Sequence, residues 1–209
     1  MKKLVSGKIG ALLSFNTILT LFLVCSVAIN VLLARRVAAL KKEADDIAQG
    51  RNLKPGTPVP PMDVKSLDGS PASVSHEGSP TTVFYVFSVT CHWCEQNLDN
   101  IKALSASASR RYRFVGISLD RDDPAAIRDY VSKNGLSFPV YYSPSLATLK
   151  SYKLGGTPHT IVVSPEGKVV SDWAGAYTLE TKSEVENFFA VSLPGIRPMS
   201  ADATGQTIH

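Results

Sequence analysis

The stretch TVFYVFSVTCHWCE, Thr82 to Glu95, decides how the rest of the chain is read. Val83 to Phe87 is a short apolar run rich in β-branched and aromatic residues, the pattern of a buried strand. It breaks at Ser88-Val89-Thr90, and Cys91-His92-Trp93-Cys94 follows at once. From Cys94 the pattern turns helical, with Leu98, Ile101 and Leu104 on one face. A strand that runs into Cys-x-x-Cys, with the motif opening a helix, places Cys91 near helix-end N–H groups. Those groups, and the positive end of the helix dipole, favour a thiolate. The chemistry this order points to is a redox-active dithiol.

Cysteine usage narrows the alternatives. The chain has three cysteines in 209 residues, and Cys25 lies in an apolar N-terminal run. Only Cys91 and Cys94 belong to the folded part, so they cannot form a disulfide scaffold, which needs several bridges over longer loops. A four-cysteine zinc site within one chain would need a second pair. Charge excludes another class. The formal net charge is +4, but residues 1–50 carry seven Lys/Arg against three acids, and the remainder carries fifteen of each. The excess belongs to the flanks of the apolar run, and no nucleic-acid partner is expected.

Residues 1–8 are short and basic, and Ile9 to Ala34 then runs 26 residues without a charge. As a helix this run would be about 39 Å long at ~1.5 Å per residue, more than the roughly 30 Å hydrocarbon core of a bilayer. Ser26-Val27-Ala28 has the small-x-small form of a signal-peptidase site, yet apolar sequence continues past it, and an uncleaved anchor is the preferred reading. Residues 35–61 read as a juxtamembrane helix, with Val37, Leu40, Ala44 and Ile47 at helical spacing, then a proline-rich linker. Lys54 to Pro61 holds four prolines in eight residues.

The folded domain is expected over residues 62–193. Asp68-Gly69 marks a hairpin turn between two short strands. Arg113 to Leu119 reads as a second buried strand, and Asp122-Asp123-Pro124 starts a helix that Asn134-Gly135 closes. Phe138 to Tyr142 reads as a short strand and Ser145 to Tyr152 as a short helix. Thr160 to Ser164 and Lys168 to Asp172 form a hairpin, and Glu180 to Ser192 is a final amphipathic helix. Residues 194–209 are expected to be a disordered tail. This order gives an α/β domain with a mixed sheet.

On these residues the sequence resembles the thioredoxin superfamily, specifically the membrane-anchored TlpA/ResA-like thiol-disulfide oxidoreductases. The resemblance covers roughly residues 54–192. It rests on strand-CxxC-helix and on Gly156-Thr157-Pro158 leading into the strand TIVV. The Asp68-Gly69 hairpin and the turn Ser164-Pro165-Glu166-Gly167-Lys168 add to it. A lone CxxC is a weak signal; CxxC and Thr-Pro in these contexts, 63 residues apart, make a strong one. The resemblance implies a thioredoxin-like mixed sheet flanked by helices, with an N-terminal β-hairpin extension and one N-terminal transmembrane helix. It implies that Pro158 is a cis-proline facing the cysteines, with Thr157 before it offering its backbone to an extended substrate. Cys91 is then the attacking thiolate and Cys94 the resolving thiol. No cofactor beyond the Cys91–Cys94 disulfide and no bound metal are implied.

The chain departs from that family between the cysteines, where Trp93 stands in place of the usual proline. His92, if protonated, stabilises the Cys91 thiolate and makes the disulfide more oxidising; the alternative is a solvent-facing ring with little coupling. Trp93 is read as an exposed rim for partner docking, or else packs on the domain. Glu95 and Asp120 are weaker candidates: some family members hold a proton-relay acid where Asp120 stands, and a loop acid is the plainer reading. His76 is expected in a loop, and His159 near the dithiol or as a plain strand residue.

The expected function is thus disulfide exchange with protein clients outside the cytoplasm, by analogy as a reductant in cytochrome c maturation or similar assembly. The expected location is a single-pass anchor in a bacterial inner membrane with the domain in the periplasm, recharged by a membrane-embedded or other thiol reductant. The alternative is a Sco-like copper chaperone using Cys91, Cys94 and His159 as two sulfurs and a nitrogen, although those proteins use CxxxC. A peroxiredoxin reading is disfavoured, because that family places Thr three residues before its reactive cysteine and Ser88 stands there.

Overall fold

The computed structural model describes residues 17–39 and 52–196. The chain divides into two units between residues 48 and 49. In the first, α1 spans Thr17–Ala39 and is long and apolar enough to cross a membrane by length and composition, with a mean hydropathy of 2.4. It carries large apolar side chains all around its circumference. Phe22, Leu23, Val27, Ile29 and Leu32 all stand exposed. Asn30 is accommodated because its Nδ2 donates to the Ser26 carbonyl at 2.8 Å. The helix runs past the expected limit at Ala34 through Arg35 and Arg36. Residues 9–16 of the expected anchor, most of the juxtamembrane helix and all but the start of the expected tail lie outside the described residues.

The second unit is built on one seven-stranded sheet. Its strands are β1 (Met62–Ser66), β2 (Pro71–Val74), β3 (Thr82–Phe87), β4 (Arg113–Ser118), β5 (Val140–Tyr142), β6 (His159–Val163) and β7 (Val169–Ala174). Its helices are α2 (His92–Gln96), α3 (Leu98–Ala108), α4 (Pro124–Asn134), α5 (Leu146–Ser151) and α6 (Leu179–Phe189). The spatial order is β2-β1-β5-β4-β3-β6-β7. β3, β4 and β5 run parallel, and the other pairings are antiparallel. The expected hairpin is β1–β2, with Gly69 at φ 91° and Asp68 Oδ1 accepting from the Ser70 backbone N–H at 2.9 Å. It extends the sheet through Lys65 paired with Tyr142.

β3 is central, and all six of its residues are buried because both faces of the sheet are covered. Val83, Tyr85 and Phe87 face a core completed by Leu98, Ile101 and Leu104 of α3, Ile127 of α4, and Val185 and Phe189 of α6. Phe84 and Val86 face the other core, with Ile117, Ile161, Tyr152, Leu53 and Val59. β4 and β5 approach so closely at Gly116 that a Cβ there would lie 2.9 Å from Val140 Cγ2.

Three expectations are corrected. The proline-rich stretch is not a free linker. Leu53 and Val59 are buried in the second core, and Pro58 bridges to Lys168. Gly56 N–H donates to the Val169 carbonyl and Val59 N–H to the Gly167 carbonyl, both at 2.8 Å. The stretch covers the start of β7, an edge strand whose open backbone groups need partners. The domain therefore takes in the ten described residues before Met62, from Asn52 on. At the other end, Gly195 N–H donates to buried Asn100 Oδ1 at 2.8 Å, so it continues past residue 193. The single helix expected from Cys94 is two, parted at Asn97, whose Oδ1 accepts from Tyr177 N–H at 3.1 Å.

Candidate active site

The parallel ladder brings Phe87 level with Ser118, so β3 and β4 end together and release their chains on the same edge of the sheet. Leu119 N–H donates to the Phe87 carbonyl at 2.9 Å. Asp120 follows and reaches across to the loop after β3. Its Oδ1 accepts from Ser88 Oγ at 2.9 Å, and its Oδ2 accepts from Val89 N–H at 2.9 Å and Ser118 Oγ at 2.6 Å.

Cys91 is the N-cap of α2, with extended backbone at φ −82° and ψ 108°. Its sulfur accepts from Cys94 N–H at 3.1 Å, and its carbonyl accepts from Cys94 N–H and Glu95 N–H at 3.1 and 3.2 Å. This is the side-chain capping that the first turn of a helix demands, made here by a sulfur. Cys91 and Cys94 are joined as a disulfide with their Cα atoms 5.2 Å apart. Cys91 is partly exposed, and Cys94 is fully buried.

Facing this pair is the turn before β6. The Thr157-Pro158 peptide bond is cis, and the Thr157 carbonyl oxygen lies 3.5 Å from Cys91 Sγ. The Pro158 carbonyl is held by Gly175 N–H at 2.8 Å. Thr157 and Pro158, separated from the cysteines by more than sixty residues, are thus brought against them because β6 pairs antiparallel with β3.

His92 and Trp93 are both exposed on the first turn of α2. His92 Nε2 lies 3.0 Å from the Gln96 side-chain nitrogen, one turn on. Trp93 is 53% exposed and stands edge-on to His92, with ring centroids 6.0 Å apart.

Beneath Cys94 the floor is aromatic. Phe87 stacks on Tyr130 of α4 at 5.3 Å and on Tyr85 at 5.7 Å. Burial, and then the Glu95 carboxylate, hold the Tyr130 phenol above its ordinary pKa. Burial chiefly, with Tyr130 and Tyr177 adding to it, pushes Tyr85 well above its own. Both hydroxyls stay neutral, and the floor carries no charge of its own.

His159 is not near the sulfurs in the sense expected. Strand alternation puts its ring on the face of Ile161 and Val163, opposite the core that holds Cys94. There it pairs with Asp172, and both side chains are almost fully buried. Asp172 Oδ2 also accepts from Leu53 N–H at 2.6 Å. Among the described residues no three His, Cys, Asp or Glu side chains gather into a metal-binding group, so the ligand set Cys91, Cys94 and His159 is not assembled. His76 lies in the loop after β2, as expected, but is buried there, with Nε2 2.8 Å from Tyr152 Oη.

Sequence reading passed over Ser88 and Asp172, and left Asp120 as a loop acid. Ser88 carried no motif. An Asp within the strand VVSDWA was the available signal for Asp172, since a buried strand acid needs a partner.

Comparison with known proteins places the geometry. The Redoxin family matches residues 54–188. Thiol-disulfide oxidoreductase ResA of Bacillus thuringiensis (strain Al Hakam) is 23% identical over 151 residues, covering 70% of this chain and 83% of that protein. Sporulation thiol-disulfide oxidoreductase A of Bacillus subtilis (strain 168) is 21% identical over 140 residues, covering 66% and 84%. Among solved structures, the thioredoxin domain of a thiol-disulfide oxidoreductase from Bacteroides vulgatus superposes with a TM-score of 0.55 at 20% identity, covering 66% of this chain and 99% of that one. That likeness shows the shared fold.

Proposed function

The chain belongs to the Redoxin family and is a thioredoxin-like thiol-disulfide oxidoreductase; from that premise we propose that Cys91 and Cys94 are its reacting groups and that protein disulfides outside the cytoplasm are its substrates. The observation that carries the reading is the asymmetry of the pair: Cys91 is partly exposed with its sulfur capped by the Cys94 N–H, whereas Cys94 is closed to solvent.

In the forward step the Cys91 thiolate attacks one sulfur of a client disulfide, forming a mixed disulfide and releasing the other client sulfur as a thiolate. The N–H donated to Cys91 Sγ stabilises the attacking anion. The Cys94 thiol loses its proton and attacks Cys91 Sγ, which releases the second client sulfur and closes the Cys91–Cys94 disulfide. Two electrons pass from the pair to the client, and the proton lost by Cys94 is taken up by one of the two client thiolates. The reduced Cys91–Cys94 pair is itself the electron store, and the reading needs no further cofactor in the cycle. Thr157 lines the approach to Cys91 and offers backbone to an extended client segment, while His92 and Trp93 form the rim that a client meets first.

In this reading α1, long and apolar enough to cross a membrane, is a single-pass anchor in a bacterial inner membrane, with the domain on the periplasmic side. There the protein would reduce clients of the cytochrome c maturation type and be recharged by a membrane-embedded or other thiol reductant. The copper-chaperone alternative has no structural support, because His159 is committed to Asp172.

The test is the reduction potential of the Cys91–Cys94 pair, equilibrated against glutathione, together with turnover of a disulfide substrate. A potential near about −270 mV fits a reductant, one near roughly −120 mV an oxidant. Full turnover in Cys91→Ala would sink the mechanism.

A further inference from the structure

Ser88, Val89 and Thr90 lie outside any strand or helix, yet they carry Cys91 into its position. The link from these residues to β4 is the Asp120 carboxylate, which accepts from Ser88 Oγ, Val89 N–H and Ser118 Oγ. Ser88 passes the restraint on: its carbonyl accepts from Cys91 N–H at 3.1 Å, and its Oγ takes up Thr90 N–H at 3.4 Å. Asp120 is itself pinned through its backbone. Leu119 N–H is bonded to the Phe87 carbonyl, and the Asp120 carbonyl accepts from Ser143 N–H at 3.2 Å.

We propose that Asp120 is a positioning residue of the dithiol, clamping the loop so that the Cys91 sulfur keeps its place under the Cys94 N–H and beside the Thr157 carbonyl. The inference rests on the dithiol reading above and adds what that reading lacks, a restraint that survives reduction. In the disulfide, the bond to Cys94 holds the Cys91 sulfur. Once that bond opens, the sulfur stays in place only as well as its loop does. The hydrogen bond from Cys94 N–H to Cys91 Sγ is worth most in the reduced form, where the sulfur is anionic, and it needs that placement. A proton-relay role for Asp120 does not fit, because its two oxygens already accept three donors that hold the loop.

Asp120→Asn and Asp120→Ala separate these roles. An amide placed as the carboxylate is can keep Val89 N–H and Ser118 Oγ on its oxygen while its NH2 donates to Ser88 Oγ, so the clamp persists without the charge. The methyl of Ala keeps nothing. The measurements, on the full chain in detergent micelles, are the iodoacetamide rate of reduced Cys91 at neutral pH, its pH profile, and the glutathione equilibrium of the pair. In Asp120→Ala the rate is expected to fall about fivefold, the equivalent of roughly one hydrogen bond, with the glutathione equilibrium displaced toward the disulfide. Asp120→Asn is expected to stay within about twofold of the parent. Equal losses in both variants would overturn the clamp in favour of charge or proton transfer. A folded Asp120→Ala with an unchanged rate and equilibrium would reduce Asp120 to a structural residue and overturn it too. If Asp120→Ala does not fold, Ser88→Ala, which removes the Oδ1 contact alone, must show a smaller loss of the same sign; no loss overturns the proposal. A parent protein whose pair neither equilibrates with glutathione nor turns over a disulfide overturns the dithiol reading itself, an outcome distinct from any difference among the variants.

Discussion

The two faces of the central sheet use polar groups for opposite ends. On the face that holds Cys94, Asp120, Ser88 and Ser118 at the rim restrain the loop that carries the dithiol. The floor below is aromatic with neutral phenols, and buried Asn97 and Asn100 hold the backbone of Tyr177 and Gly195. On the other face the polar groups are buried. His159 pairs with Asp172, which takes Leu53 N–H. His76 meets Tyr152, whose hydroxyl donates to the Pro60 carbonyl at 2.5 Å. Both buried groups fasten the stretch that leads into the domain. One face is arranged so that a sulfur can change partners, the other so that the incoming chain cannot. Strand alternation is what keeps the two sets apart, since neighbours along β6 point to opposite faces.

That division breaks first, and most sharply, at the cysteines. Cys91→Ala should abolish disulfide turnover, while Cys94→Ala should accumulate mixed disulfides that resist resolution, as read on non-reducing gels. The thermal midpoint of either variant measured in its reduced state should stay close to that of the reduced parent. On the opposite face the ranking reverses. Asp172→Ala leaves the His159 ring and the Leu53 N–H without their partner and should cost about 2–6 kcal/mol of stability by denaturant unfolding, at roughly 1–3 kcal/mol for each buried group left unpaired. The iodoacetamide rate of Cys91 in the folded protein should not change; a large change would show that the faces are coupled.

A smaller effect is expected at Gly116, where a Cβ meets Val140 and Phe138 between two strands. Gly116→Ala should lose about 1–3 kcal/mol by overpacking, without altering the pH profile of Cys91. His76 offers a pH test. Burial holds it below its ordinary value; the Pro60 carbonyl opposes this in part, and the Arg113 charge adds to it. The folded state therefore prefers neutral His76, and its contribution is complete above the unfolded value of about 6.5 and lost as pH falls below it. Melting curves of the parent should weaken across that window more steeply than those of His76→Gln. The mildest change is at the rim: Trp93→Ala should slow protein clients and leave exchange with glutathione nearly as it was.

Element types were largely legible, because each strand and helix carries its own period and stop signals. Asp123 caps α4, its Oδ1 accepting from Ala126 N–H at 2.9 Å, and Gly135 closes it in the left-handed region, both as the Asp-Asp-Pro and Asn-Gly signals imply. The break at Asn97 was not legible, since it depends on Tyr177, eighty residues away. Nor was the docking of residues 52–61. Four prolines announce an extended chain, but whether an extended chain lies on an edge strand depends on the edge being free.

The dithiol, its place between a strand and a helix, and the Thr-Pro that accompanies it are local patterns whose chemistry travels with the residues. Only the tertiary structure decided which groups surround the sulfurs. It set Thr157 3.5 Å from Cys91, sent His159 to the opposite face, and turned Asp120 from a loop acid into the group that holds Ser88 and Val89. The physical reason is that hydrogen bonds between distant residues follow strand order and strand parity, which no local pattern records. The motif was legible as chemistry; its surroundings had to be folded into place.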